Sequence, residues 1–191
     1  MRCVSCHKLS VDVICSSCAE RLLRPTISRR TVGTLEVVSL FHYSVIEPFL
    51  LTKHTPLGHR IYRYLGRHYI APFVEEYRRQ EGTPFGVIGV DEHVGHGYAH
   101  TALLTRAIQH PDIPVMHSTL LARNRVNYAG KTLQYRLDHP RDFHYTGSKK
   151  QEVILVDDIV TTGITLQEAA GELHRYQVDV LFALTLADAQ Y

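Results

Sequence analysis

Residues 153–165 read VILVDDIVTTGIT. Four apolar residues form a short buried strand and end at two adjacent carboxylates, Asp157 and Asp158. After a brief interval Thr161, Thr162, Gly163 and Thr165 lead into a helical pattern. A strand that passes through a sharp loop into a helix is half of a βαβ unit, so the chain is committed to an α/β fold. At the carboxyl end of such a strand the Asp pair can address the hydroxyls of a sugar or a metal bound to it. The hydroxyls and backbone N–H groups that follow lie where a helix N-terminus favours a phosphate. Asp, Thr and Gly also serve as caps and turn residues, but this combination asks more than capping does.

The remaining chain alternates in the same way. Residues 35–43 (LEVVSLFHY) read as a strand. Ile61, Leu65, Tyr69, Phe73 and Tyr77 recur every four residues beside a second row at Tyr62, Ile70 and Val74, which predicts a long amphipathic helix over 59–80. Pro72 is placed to kink or split it. Strands are expected at 85–90, 113–120, 153–156 and 178–186, with helices at 98–109 and 165–176. This order predicts a mostly parallel sheet with helices on both faces and a ligand beyond the carboxyl ends of the strands. Residues 24–33 contain Pro25 and few apolar side chains and read as a linker. The expected division is therefore a small module over 1–30 and the main domain over 31–191. Residues 123–150 fit no clean element, and their length marks a flap, a hood or a mobile loop.

Cysteine occurs only at Cys3, Cys6, Cys15 and Cys18, as two C-x2-C pairs. Each pair presents two sulfurs on one side, and together they suit a structural zinc ion in a compact knuckle with no open coordination position. Disulfides are the alternative. No apolar run approaches a membrane span, and the N-terminus lacks the apolar core of a signal peptide, so a cytoplasmic chain without membrane insertion is expected. His7 is a conceivable substitute ligand.

The net charge of +2 conceals an uneven distribution. Residues 117–150 carry +5, from Arg123, Arg125, Lys131, Arg136, Arg141, Lys149 and Lys150 against two Asp, whereas residues 151–191 carry −6. A polyanion would meet the first segment. Tyr128, Tyr135, Phe143, His144 and Tyr145 lie among these cations, and aromatic faces there can stack unpaired bases or pack in the core. The knuckle is also basic, with Arg2, Lys8, Arg21, Arg24, Arg29 and Arg30 against Asp12 and Glu20. His93, His96 and His100 could form a metal site, but Gly95 and Gly97 interrupt their spacing, and the preferred reading is loop histidines.

The 157–165 segment resembles the phosphoribosyl pyrophosphate (PRPP) motif of type I phosphoribosyltransferases. The resemblance implies a type I phosphoribosyltransferase-like fold in which Asp157 and Asp158 contact the ribose hydroxyls. Thr161, Thr162, Gly163 and Thr165 would wrap the 5′-phosphate, and Mg²⁺ would accompany PRPP. With its four-cysteine N-terminus the whole chain is similar to the ComF family, in its ComFC and GntX branches. That likeness implies a cytoplasmic part in natural transformation, with incoming single-stranded DNA and other competence or recombination proteins as partners. It also makes Lys53 the candidate for the pyrophosphate.

Two segments depart from that family. Where it usually has Arg-Gly-Phe-Asn-Gln, this chain has His96-Gly97-Tyr98-Ala99-His100. A later segment is represented by Gly130-Lys131-Thr132-Leu133 and Arg136-Leu137-Asp138-His139, which keeps an Arg and loses amides. These changes favour ligand binding over turnover. Transfer of a phosphoribosyl group to an unknown acceptor, and a PRPP or nucleotide sensor or scaffold, are the alternatives.

Overall fold

The computed structural model describes residues 1–90, 99–126, 128 and 130–190. In chain order its elements begin with α1 (Ser16–Leu22), β1 (Ser28–Val32), β2 (Leu35–His42), α2 (Tyr43–Leu50) and α3 (Pro56–Leu65). A π-helical turn (Gly66–Ile70), α4 (Ala71–Glu81), β3 (Gly86–Gly89), α5 (His100–Thr105) and β4 (Leu120–Ala122) follow. The chain continues through α6 (Leu133–Asp138), β5 (Phe143–Tyr145), β6 (Gln151–Val160), α7 (Ile164–Arg175) and β7 (Val178–Asp188).

Among the described residues, five strands form one sheet in the order β1-β2-β7-β6-β3, parallel throughout except for the antiparallel β1–β2 pair. Successive side chains leave a strand on opposite faces. Ile154 and Val156 therefore join a core built with α2 to α5. Val153 and Leu155 join a second core with Leu166, Ala169 and Leu173 of α7 and with Phe143 and Tyr145 of β5. The expected α/β architecture, with a mostly parallel sheet covered on both faces, is the one observed. Cys3, Val13, Ile14 and Cys18 pack in the same cluster as Ile61 and Leu65, so the knuckle rests directly on the α3 side.

Several element readings change. Residues 24–33 are no simple linker, because β1 occupies half of them and the division at residue 30 falls inside that strand. An edge strand needs no continuous apolar run. Arg29 is instead stabilised by Glu36 on β2, 2.7 Å away. Residues 113–120 do not form a strand. Val115 makes one parallel bridge to Val87, and the chain then turns into β4, which pairs with β5 in a separate two-stranded sheet. The segment 123–150 accordingly contains α6 and β5 and forms a small hood.

The helix expected at 59–80 is a continuous helical run from Pro56 to Glu81 with a π-helical turn in its middle. Thr55 caps its start, its Oγ1 accepting from the Gly58 N–H at 3.0 Å, and Gly82 closes it in the left-handed region at φ 71°. Pro72 has no N–H to donate, and the helix widens immediately before it. The helix at 98–109 shortens to α5. His93, His96, Gly97 and Tyr98 lie outside the described residues. β6 runs well beyond 156, through both Asp, because β7 pairs with it as far as Val160↔Asp188.

Candidate functional site

β6 ends at Val160, and a three-residue turn brings the chain to α7. Gly163 makes that turn possible. Its φ is 82°, and a Cβ added there would stand 2.3 Å from Cγ1 of Val32. The turn therefore lies tightly on the end of β1, in a conformation that L side chains resist. β1 also holds it by a second contact. Arg30 Nη2 donates to the carbonyl of Thr161 at 2.6 Å, while Nε bonds to the Asp188 carboxylate.

Behind the turn sits a buried polar network. Asp158 Oδ2 accepts from the Tyr62 hydroxyl at 2.9 Å and from Lys53 Nζ at 3.3 Å. His100 Nε2 lies 3.6 Å from the same oxygen. Asp157 Oδ1 accepts from the Asp158 N–H at 2.8 Å. Burial favours the protonated Asp158 carboxyl, but His100, Lys53 and the Tyr62 hydroxyl outweigh it and hold the group below the usual carboxylate range.

The hood closes the other side. Arg136 Nη1 donates to Thr161 Oγ1 at 2.7 Å and lies 3.4 Å from Thr162 Oγ1, while Nη2 donates to the Tyr128 carbonyl at 3.1 Å. The Arg141 guanidinium stacks 4.7 Å over the Tyr128 ring. Lys53, Tyr128, Arg136, Arg141, Asp157, Asp158, Thr161 and Thr165 all line one cleft of about 590 Å³. A cation set at the hydroxyl loop thus faces a carboxylate pair across a single cavity.

This placement divides the sequence-derived candidates. Lys53, both Asp, Thr161 and Thr165 meet in the cleft, with Thr162 in the same turn and Gly163 shaping it. Arg136 and Arg141, read as nucleic-acid contacts, point into the cleft as well. Tyr128, Phe143 and Tyr145 are buried, which removes them as base-stacking platforms. Tyr135 stacks on His139, ring centroids 4.1 Å apart. Arg123, Arg125, Lys131, Lys149 and Lys150 remain on the surface. His100 is no loop histidine: it opens α5 and is 6% exposed. Arg30 and Tyr62 also belong to the site, although the sequence marks Arg30 only as one more cation near the knuckle. Tyr62 is legible only as a member of an apolar row.

Among the described residues, two groups have metal-ligating geometry. The sulfurs of Cys3, Cys6, Cys15 and Cys18 lie within 4.8 Å of one another. A zinc ion about 2.3 Å from each sulfur asks for S···S separations of about 3.8 Å, and Cys6 and Cys15 already stand 3.6 Å apart. Burial opposes the Cys3 thiolate, but N–H bonds from Cys15, Cys6 and Ser5 prevail and bring its pKa down to about 6. The cage therefore fits a structural zinc. His100, Asp157 and Asp158 form the second group. The two Asp could also receive a magnesium ion arriving with a diphosphate ligand.

A further basic feature lies at the junction of knuckle and main fold. Arg60, Arg63 and Arg67 follow one helical face, and Arg106 faces them across a groove of about 420 Å³ floored by Val13, Tyr64 and Leu103. Asp12 offsets Arg67, and Arg60 contacts Met1. Among the described residues, Arg63 and Arg106 meet no carboxylate.

No protein-family model matches the chain, and no curated protein matches it. Among solved structures it is similar to a hypoxanthine phosphoribosyltransferase from Staphylococcus aureus, with 16% identity and a TM-score of 0.41. The match covers 66% of this chain and 62% of that enzyme, so the chain spans somewhat less than two thirds of its length. An adenine phosphoribosyltransferase shows 12% identity over 89% of this chain and 88% of its own, with a TM-score of 0.44. Adenine phosphoribosyltransferase from Saccharomyces cerevisiae shows 15% identity over 89% and 87%, with a TM-score of 0.43. Likeness at these values concerns shape and says nothing of activity. Among the described residues no helix is long and apolar enough to cross a membrane.

Proposed function

We propose that the protein binds PRPP, or a closely related phosphoribosyl ligand, together with a divalent cation in the cleft between β6, α7 and the hood. One observation carries this reading: the Thr161 hydroxyl under Arg136 and the Asp157–Asp158 carboxylates border the same cavity. A 5′-phosphate suits the hydroxyl turn, where a guanidinium and a helix N-terminus both favour negative charge. Ribose hydroxyls suit the carboxylates. Lys53 stands beside the carboxylates, where a pyrophosphate would carry its charge. Thermal denaturation with PRPP and Mg²⁺ tests the reading. Stabilisation of about 2.7 kcal/mol is expected at a hundredfold excess over Kd, and it should vanish in Asp157→Ala. No shift in the wild-type protein would reject it. Pyrophosphate release in the presence of a base would extend the reading to transfer chemistry.

A second reading concerns nucleic acid. As a ComF-type competence factor, the protein would handle incoming single-stranded DNA in the cytoplasm, alongside other competence or recombination proteins. The groove of Arg60, Arg63, Arg67 and Arg106 supports this better than the hood does, since Arg136 and Arg141 are committed to the cleft. Arg60, Arg63 and Arg67 are spaced about 4.5 and 6 Å along a helix axis, which suits successive phosphodiesters. Affinity for a single-stranded oligonucleotide should fall steeply with salt, with a logarithmic slope of about −0.7 for each phosphate engaged. Arg63→Ala with Arg106→Ala should flatten that slope. An unchanged slope in the double variant would remove the groove from the reading.

A further inference from the structure

The buried imidazole of His100 has no role in the phosphoribosyl contacts, yet it is aimed at them. It is 6% exposed, and its Nε2 has no hydrogen-bond partner among the described residues. The Asp158 oxygen 3.6 Å away is beyond hydrogen-bonding distance. The Tyr62 ring meets it edge-on, centroids 5.7 Å apart, and fixes the direction of the imidazole. A buried polar atom left unsatisfied is rare and costs stability unless something else completes it.

We infer that His100, Asp157 and Asp158 together hold one divalent transition-metal ion of the manganese class behind the cleft wall formed by the two Asp. The three side chains offer one nitrogen and two carboxylates whose donor atoms all lie within 4.8 Å of one another. Donors about 2.1 Å from a shared ion stand about 3 to 4.2 Å apart, so the set closes with a contraction of roughly half an ångström. All three residues are buried, and the two Asp border the cavity, from which ligand oxygens and water would fill the remaining positions while His100 closes the site from behind.

The donor set also selects the metal. Magnesium prefers oxygen ligands and retains its water, whereas imidazole suits manganese, iron, cobalt or zinc. One histidine with two carboxylates favours Mn²⁺ and its neighbours over Mg²⁺. Zinc is already suited by the four thiolates of the knuckle, which are softer donors. On metal entry the ion takes over the positive charge that Lys53 now brings to Asp158 at 3.3 Å. Lys53, only partly buried, then turns to the anionic end of the ligand. Metal and ligand therefore bind with mutual reinforcement. The site rests on the phosphoribosyl reading for the identity of that ligand, and not for the metal itself.

The test uses the full chain with its knuckle loaded with zinc. Mn²⁺ is titrated without ligand and followed by electron paramagnetic resonance, and the bound ion is examined for ¹⁴N coupling by electron spin echo envelope modulation. One nitrogen coupled to Mn²⁺ is expected, with the ion bound about tenfold or more tightly than Mg²⁺ in competition. His100→Gln should lose the nitrogen signal and weaken Mn²⁺ by about tenfold to a hundredfold. A wild-type spectrum without nitrogen coupling, or an unchanged Mn²⁺ affinity in His100→Gln, would overturn the site. The wild-type spectrum decides the matter alone if the variant fails to fold. PRPP binding measured separately with Mg²⁺ shows whether the ligand reading stands when the metal site falls.

Discussion

Arg30 donates to the carbonyl of Thr161 at 2.6 Å, joining positions 131 residues apart in the chain. The same guanidinium neutralises Asp188, which is 1% exposed. An edge strand thus reaches across β2 and β7 to hold the turn at the end of β6. Arg30→Ala would leave Asp188 buried and unpaired, at a cost of about 2 to 4 kcal/mol. Thermal denaturation should show a drop of about 5 °C or more. Arg30→Lys should recover most of that loss and, on the proposed phosphoribosyl reading, leave PRPP affinity reduced, because an ammonium cannot serve both partners in the geometry of a guanidinium.

Arg136 acts at the opposite side of the turn. It is partly exposed, so Arg136→Ala should change stability by no more than about 1 kcal/mol. On the proposed phosphoribosyl reading, PRPP affinity should fall by about tenfold to a hundredfold, as loss of a charge-assisted contact predicts. Isothermal calorimetry would separate these effects. Equal affinity in wild type and variant would take Arg136 out of the site.

Gly163 tests whether the turn is shaped by β1. In Gly163→Ala the new methyl group meets Val32 at 2.3 Å and the backbone retains φ 82°. A loss of about 2 kcal/mol or more is expected in chemical denaturation. Val32→Ala in the same chain should return part of it, giving a non-additive pair. Strict additivity would show that the two residues do not press on one another.

Loss of the four-cysteine cage, or of a metal held in it, should reach beyond the first thirty residues. Cys3, Ile14 and Cys18 lie in one apolar cluster with Ile61 and Leu65. Cys3→Ser, or a strong chelator, should lower the main calorimetric transition by several degrees. A separate low-temperature event with an unchanged main transition would show that the knuckle opens independently.

Alkaline pH should weaken the fold through its partly and fully buried phenols. Burial, with Tyr64 as neighbour, pushes Tyr69 up to about 12. A group raised in the folded state contributes stability that is complete below its unfolded pKa, about 10. That stability is lost as pH rises through the folded value. Tyr69→Phe should therefore flatten the decline between pH 10 and 12 in urea unfolding. An identical pH profile would assign the decline to other groups, such as Tyr77 or Tyr128, whose pKa values burial also raises.

The parts of the molecule legible in the sequence are those whose cause is local. The β6 turn is contiguous, and the pattern VILVDD followed by TTG marks strand, bend and helix start together. The rows of Ile61, Leu65 and Tyr69 similarly report a helix through their own spacing. β1 escaped because an edge strand can be polar, and its Arg30 has partners that only the sheet order brings near. Arg136 and Arg141 counted correctly as charge, but composition holds no information on direction, and both turn inward. His100 looked like one of many loop histidines until α5 and α3 enclosed it. In each case the missing information was a contact between distant segments.

β7 lies between β2 and β6, although it is made after every other strand of the sheet. During synthesis the apolar β2 and β6 therefore wait with their inner edges unpaired. Their partner emerges only when residues 178–188 leave the ribosome. Closing so many long-range parallel contacts at the last step predicts slow, all-or-none assembly. A chain halted before residue 178 should not yield a smaller folded protein. It should expose two sticky strand edges and depend on chaperones or be degraded.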